Sequence, residues 1–205
     1  KYRPRVSVVA TYDPTRPKEI AGFEEAAAQW AGAHRLILTK ADLVSPERFA
    51  VAAQEAAAIN PLAEIVREAD RDATVAKAFA ASTNRMSLPS GFHATEAKSH
   101  ARLRALLLRQ QEAISYDDLA TWLDNLAGLL GDRLLRLKGL VAVHESDAPL
   151  LVQSVGTLFS EPRPFRGVPP SESMFLVVIG RDIEPGEFEK IEPRLPFVFS
   201  NVHSG

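Results

Sequence analysis

The sequence predicts an α/β unit followed by an α+β unit. In the first half, the short apolar runs at residues 6–10 and 35–39 are each followed by a segment rich in helix formers, at residues 18–33 and 45–58. Alternation of strand and helix with connections of this length favours a parallel sheet flanked by helices. The second half changes to longer strand candidates around one amphipathic helix, which favours antiparallel pairing.

Capping residues, breaker residues and apolar patterns predict the individual helices and strands along the chain. Ser45 before Pro46 supplies the capping hydroxyl and first-turn proline with which the second helix begins. A further helix is expected at residues 71–81, and the Ser, Asn, Pro and Gly content of residues 82–91 indicates a linker. Beyond it we expect a helix at residues 116–130 and strands at 101–108, 134–144, 150–159 and 173–180.

These elements define two predicted domains. The polar turn at residues 145–149 suits a hairpin between the two middle strands of the second half. We place the first domain at residues 1–85, a linker at 86–98 and the second domain at 99–205.

Composition narrows the classes of function. The 205 residues carry a formal net charge of -2, which argues against nucleic acid or an anionic membrane as a partner. No apolar run approaches the roughly 20 residues that cross a bilayer. With 0 Cys there are no disulfides or thiolate ligands, which fits a cytoplasmic protein. Because residue 1 is Lys, we expect the chain to begin at an internal cut.

The loop Thr39-Lys40-Ala41-Asp42 is the most informative stretch for chemistry. Ligands of open α/β sheets bind at the carboxyl ends of strands, where this loop is expected. A carboxylate there can accept hydrogen bonds from the ring N–H and exocyclic amine of guanine, whereas adenine presents an acceptor at the first position. The lysine stem can lie across the base. The alternative is that this loop binds no base, so that Lys40 is simply solvated and Asp42 closes the turn between the strand and the helix.

Several segments resemble the CobW family of P-loop GTPases. Residues 29–44 are similar to its guanine-specificity segment, in which Gln precedes a strand that ends in N/T-K-x-D-L. Further similarities are to the family's "iNPxA", "lLRxKG", "lQgVg" and "viGrdld" segments, at residues 59–63, 134–139, 152–156 and 178–183. The shared order and spacing extend over nearly the whole chain.

The resemblance implies the later part of a GTPase domain followed by a CobW C-terminal domain. In the family, GTP-dependent proteins supply a metal such as zinc or cobalt to a client protein. The resemblance assigns guanine recognition to Thr39, Lys40 and Asp42, with Asn60 in a neighbouring base-side loop. It also implies GTP or GDP with Mg²⁺ in the complete protein, and leaves a homo-oligomer open.

Two departures from the family keep an alternative open. No G-x-x-x-x-G-K-[ST] occurs, so we assign no catalytic residue and expect no GTP hydrolysis by this chain alone. The first strand also lacks the Asp of the family's "VvtVvDa" run, and Asp13 lies further along than the matching place. A non-enzymatic scaffold or interaction module is therefore the alternative function.

No metal ligand is assigned. His93, Glu96 and His100 would share one face of a helix, but exposed loop histidines are the favoured interpretation. His34 is expected to cap the entry to a strand, and His144 to lie in a solvated turn.

Two groups of cations are interpreted as ordinary surface. Arg136 and Lys138 alternate with leucines and are expected on the solvated face of a half-buried strand. Arg163 and Arg166 flank Phe165 in a proline-rich connection that we expect to be exposed.

Overall fold

A computed structural model describes residues 7–16, 24–67, 70–80, 102–166 and 174–199. The chain divides into two compact units, whose described parts span residues 7–80 and 102–199. The linker predicted at residues 86–98 lies outside the described residues.

The first unit is a parallel sheet with helices in its connections, as the sequence predicts. Its elements are β1 (Val9–Tyr12), α1 (Glu24–Gly32), β2 (Arg35–Leu38), a 3₁₀ turn (Ala41–Leu43), α2 (Pro46–Ile59), β3 (Glu64–Val66) and α3 (Arg71–Phe79). The strands pair in the order β1-β2-β3, all parallel.

Two strands of this sheet differ from expectation. β1 lies later in the chain than the predicted residues 6–10 and reaches Tyr12, because it pairs with β2 until Tyr12 stands opposite Leu38. β3 was not predicted, since three residues are too few to show a periodic pattern.

Small side chains pack the first unit. Alanines of α2 and α1, including Ala52, Ala56 and Ala31, are completely buried. Such residues allow a helix backbone to approach the sheet closely. The predicted start of α2 is confirmed, since the Ser45 hydroxyl accepts from the Arg48 N–H at 3.2 Å and Pro46 follows at the first position.

The second unit is an antiparallel sheet with one long helix. Its elements are β4 (Leu103–Gln110), α4 (Tyr116–Leu130), a 3₁₀ turn (Gly131–Arg133), β5 (Leu134–Val141), β6 (Leu150–Val155), β7 (Leu158–Phe159), β8 (Arg163–Pro164), β9 (Phe175–Arg181), α5 (Pro185–Phe188) and β10 (Phe197–Phe199). The described strands follow the order β10-β4-β9-β5-β6-β7, and β8 also pairs with β6.

The hairpin prediction holds, but one predicted strand is divided. β5 and β6 pair antiparallel, with Val141 opposite Leu150. The strand expected at residues 150–159 breaks at Gly156, whose φ of 56° makes the turn between β6 and β7. The short elements α5 and β10 were not predicted.

The core of the second unit lies between α4 and one sheet face. Leu119, Trp122 and Leu126 of α4 pack with Leu137 of β5 in one buried cluster. β5 and β9 approach closely at Gly139, because a Cβ placed there would lie 1.9 Å from the carbonyl oxygen of Phe175. Within the described ranges, no helix combines the length and apolar character that crossing a membrane requires.

Candidate functional site

The loop after β2 lies at the carboxyl edge of the parallel sheet, as expected for a ligand site. The Thr39 N–H donates to the carbonyl oxygen of Tyr12 at 3.0 Å, and the Thr39 hydroxyl donates to the same oxygen at 3.3 Å. Thr39 therefore connects the ends of β1 and β2, and the loops that follow the two strands begin next to each other.

Lys40 has an unusual backbone and a charged partner. Its φ of 54° and ψ of 38° are left-handed, which is uncommon for a residue with a Cβ. Its Nζ lies 2.6 Å from Oδ2 of Asp13. The other oxygen of Asp13 accepts from the Thr15 N–H at 2.9 Å and from the Thr15 hydroxyl at 2.6 Å.

The hydrogen bonds of Asp13 decide its protonation. Partial burial opposes ionisation of this carboxyl, but the donors of Lys40 and Thr15 outweigh it and lower its pKa to about 2. Asp13 was not expected at the strand end, because it lies further along the sequence than the Asp of the family's "VvtVvDa" run and β1 was predicted at residues 6–10. Since β1 ends at Tyr12, Asp13 follows the strand directly, and the Asp13-Pro14 pair after Tyr12 was the signal for this position.

Asp42 lies in the 3₁₀ turn with its side chain exposed. Among the residues that the structure describes, its carboxylate takes part in no hydrogen bond or ion pair. Within the described ranges, neither oxygen of Asp42 is therefore occupied, in contrast to those of Asp13.

Asn60 is a structural residue in this arrangement. It is 0% exposed, and its Nδ2 lies 2.8–2.9 Å from the carbonyl oxygens of Trp30, Ala31 and Ala33. Its Oδ1 accepts from the Leu62 N–H at 3.0 Å. These bonds use the amide within the protein, so Asn60 supports the loops and offers no direct contact to a base.

A partly buried network that was not predicted supports the loop after β1. The Tyr12 hydroxyl donates to Glu55 at 2.7 Å, and Arg48 donates two hydrogen bonds to the same carboxylate, at 3.1 and 2.9 Å. Arg48 also donates to the carbonyl oxygen of Pro14 at 3.2 Å. Burial, and then the contact with Glu55, raises the pKa of Tyr12. The Tyr12 ring lies 4.7 Å from that of Trp30.

No metal centre emerges from the described ranges, which contain no group of three or more His, Asp or Glu placed to hold an ion. His34 has the predicted structural role, since its Nδ1 accepts from the Val8 N–H at 3.1 Å. His93, Glu96 and His100 lie outside the described residues.

Arg136 and Lys138 correct the expectation of a solvated strand face. Arg136 is only 2% exposed, and Lys138 is largely buried. Burial lowers the pKa of Arg136 to about 10, and burial together with the charge of Arg136 lowers the pKa of Lys138 to about 8. β5 lies inside the sheet, and its side chains are buried or partly buried on both faces. The alternation of cations with leucines therefore did not mark a face exposed to solvent. Phe165 is also buried, whereas Arg163 and Arg166 are exposed as expected.

The antiparallel unit matches a known domain family. Residues 103–191 match the family described as "Cobalamin synthesis protein cobW C-terminal domain". No curated protein matches the chain.

Solved structures extend the likeness to the first unit. The zinc-bound YjiA GTPase from E. coli aligns over 89% of this chain with a TM-score of 0.69 and 23% identity. A zinc-bound triple mutant of the YjiA GTPase aligns over the same share, with a TM-score of 0.64 and 23% identity. The chain covers 58% of the length of each structure.

The fold and the domain match together define the class of protein. It pairs part of a GTPase-like α/β unit with a CobW-type antiparallel domain. Residues 103–191 therefore belong to the CobW C-terminal domain family, as the motifs in that part of the sequence indicate, and the first unit shares its fold with the YjiA structures.

Proposed function

We propose that this chain is the later part of the nucleotide domain of a CobW-type GTPase, joined to its C-terminal domain. In the complete protein, acting in the cytoplasm, GTP would control the delivery of a metal ion to a client protein. The CobW C-terminal domain at residues 103–191 and the likeness of the fold to that of the YjiA GTPase support this proposal. The observation that carries the nucleotide part is the exposed, uncommitted carboxylate of Asp42 beside Lys40.

The proposed recognition follows from hydrogen-bond chemistry. Guanine presents a ring N–H and an exocyclic amine side by side, and the two oxygens of Asp42 can accept from both. Adenine presents an acceptor at the ring position, so a carboxylate there meets a lone pair. The stem of Lys40 would lie across the base. Thr39 and Asn60 would not contact the base. They would hold in place the loops that carry Lys40 and Asp42.

In this proposal the metal ion is cargo that the protein delivers to its client. The YjiA structures are described as zinc-bound, which makes zinc the first metal to test here, with cobalt as the second. The C-terminal domain would engage the client, and Mg²⁺ would accompany the nucleotide phosphates. Hydrolysis of GTP would require a phosphate-binding loop, a sequence that these 205 residues do not contain.

The base-recognition step can be tested by competition between GTP and ATP in the full-length protein. We expect the wild type to prefer GTP, and Asp42→Ala to weaken GTP binding by about 10- to 100-fold, since a good bidentate contact discriminates by about 1–3 kcal/mol. ATP binding should not change. Asp72→Ala is the matched control, because Asp72 is also exposed and lies in the first turn of α3. Equal effects of both substitutions would contradict the assignment.

A metal-transfer assay separates the metallochaperone from the scaffold. The zinc-loaded full-length protein is mixed with an apo client found by co-purification, and zinc transfer is followed with GTP, with GDP and with neither nucleotide. Transfer that depends on GTP supports the proposal. Client binding with no response to nucleotide would favour the non-enzymatic scaffold.

A further inference from the structure

We propose that Asp13 is a positioning residue that holds Lys40 in place for guanine recognition. This inference rests on the function proposed above, and adds to it a residue outside the base-recognition loop itself. The direct observation is the 2.6 Å contact between Asp13 Oδ2 and Lys40 Nζ, which joins residues 27 positions apart in sequence.

A lysine that must lie along a base has to lose most of its rotational freedom. Its flexible stem has considerable rotamer entropy, and the side chain of Lys40 is 48% exposed. An anchor for the ammonium group removes part of this entropy before the nucleotide arrives, so less is lost on binding. Asp13 supplies such an anchor with a short, charge-assisted hydrogen bond.

The anchor is itself fixed. Thr15 occupies one carboxylate oxygen of Asp13 with two donors, which leaves the other oxygen directed to Lys40. The side chain of Asp13 is only 17% exposed, so water competes less with this pair than with a fully exposed one. A mobile surface ion pair would show neither feature.

A second layer holds the turn that carries Asp13. Arg48 reaches from α2 to the carbonyl oxygen of Pro14, and Glu55 holds Arg48 through two hydrogen bonds. The backbone of Lys40 is fixed independently, because its carbonyl accepts from the Leu43 N–H at 3.1 Å. Hydrogen bonds therefore hold the backbone at both ends of the ion pair.

The left-handed conformation of Lys40 supports a functional reason for this arrangement. This conformation is unfavourable for a residue with a Cβ, and such strain is found preferentially at ligand sites. Here the conformation lets one short loop carry both a lysine that contacts Asp13 and an exposed aspartate two residues later.

The test is a double-mutant cycle on GDP affinity in the full-length protein, with ADP as the base control. Asp13→Asn keeps an oxygen for Thr15 and removes the charge that faces Lys40. We expect it to weaken GDP binding about tenfold. We expect Lys40→Met to weaken it at least as much, and the double variant to be no weaker than Lys40→Met alone.

Glu64→Gln is the matched control. Glu64 pairs with Arg35 at 3.0 Å, at the start of β3 and so at the opposite edge of the sheet. It should leave GDP affinity unchanged. A purely structural role of Asp13 would instead give additive losses in the cycle and weaken GDP and ADP binding equally.

The outcomes separate this inference from the function on which it rests. A wild-type protein that binds GDP and ADP equally would overturn both. A clear preference for GDP that is lost in Lys40→Met but kept in Asp13→Asn would overturn the role of Asp13 and leave guanine recognition standing.

Discussion

Replacing Asn60 by Ala tests whether this amide supports the first unit or contacts the base. The substitution removes the donor shared by the carbonyls of Trp30, Ala31 and Ala33 and the acceptor for the Leu62 N–H. A buried polar group that loses its partner costs about 1–3 kcal/mol. Several groups are affected and a small void remains, so we expect the free energy of unfolding to fall by about 3 kcal/mol.

Urea unfolding followed by tryptophan fluorescence measures this loss. Trp30 reports the first unit when Trp122 is replaced by Phe in every variant compared. Asn60→Asp should be at least as destabilising as Asn60→Ala, because its carboxylate would face three carbonyl oxygens. Gln54→Ala removes an exposed amide from α2 and should change stability by less than about 0.5 kcal/mol. A stable Asn60→Ala protein that loses its preference for guanine would refute this reasoning and make Asn60 a base contact.

Two further substitutions test the second unit. Gly139→Ala should lower the free energy of unfolding by about 3 kcal/mol or more in urea unfolding, because its Cβ would collide with the backbone of β9. Gly128→Ala, in open space on α4, should raise it by about 0.5–1 kcal/mol, and equal effects would contradict the packing. Lys138→Met should stabilise the protein by up to about 3 kcal/mol at pH 7, as a pKa lowered to about 8 implies. The cost of the buried charge is full below pH 8 and is relieved towards the unfolded pKa of about 10.4, so this gain should shrink when unfolding is measured at pH 10.5. The exposed Lys190→Met is the control, and a gain independent of pH would show that charge is not the cause.

Local chemistry made some elements predictable from sequence. The helix expected at residues 116–130 is observed as Tyr116–Leu130, because a capping Ser115 and a continuous amphipathic pattern define it without tertiary information. Ser45 and Pro46 fixed the start of α2 in the same way. The short strands β3 and β10 are formed by pairing to distant neighbours, which no local pattern encodes.

The candidate site was predictable in part. The motif located Lys40 and Asp42 at the sheet edge, since a strand followed by a capped helix leaves little choice for the loop between them. The contact between Lys40 and Asp13 depends on the pairing of β1 with β2, which continues to Tyr12, beyond the end of the predicted strand. The burial of Asn60 and Arg136 likewise depends on packing and not on their neighbours in sequence.

The central claim is that the carboxylate of Asp42 reads guanine, and the variant Asp42→Asn tests it most directly. Xanthine carries an oxygen where guanine carries the exocyclic amine, so an amide at residue 42 can donate where the carboxylate only accepts. In the full-length protein, we predict that Asp42→Asn loses GTP binding by at least about tenfold and gains xanthosine triphosphate binding by a similar factor. Unchanged preference for GTP over xanthosine triphosphate in this variant would contradict the account.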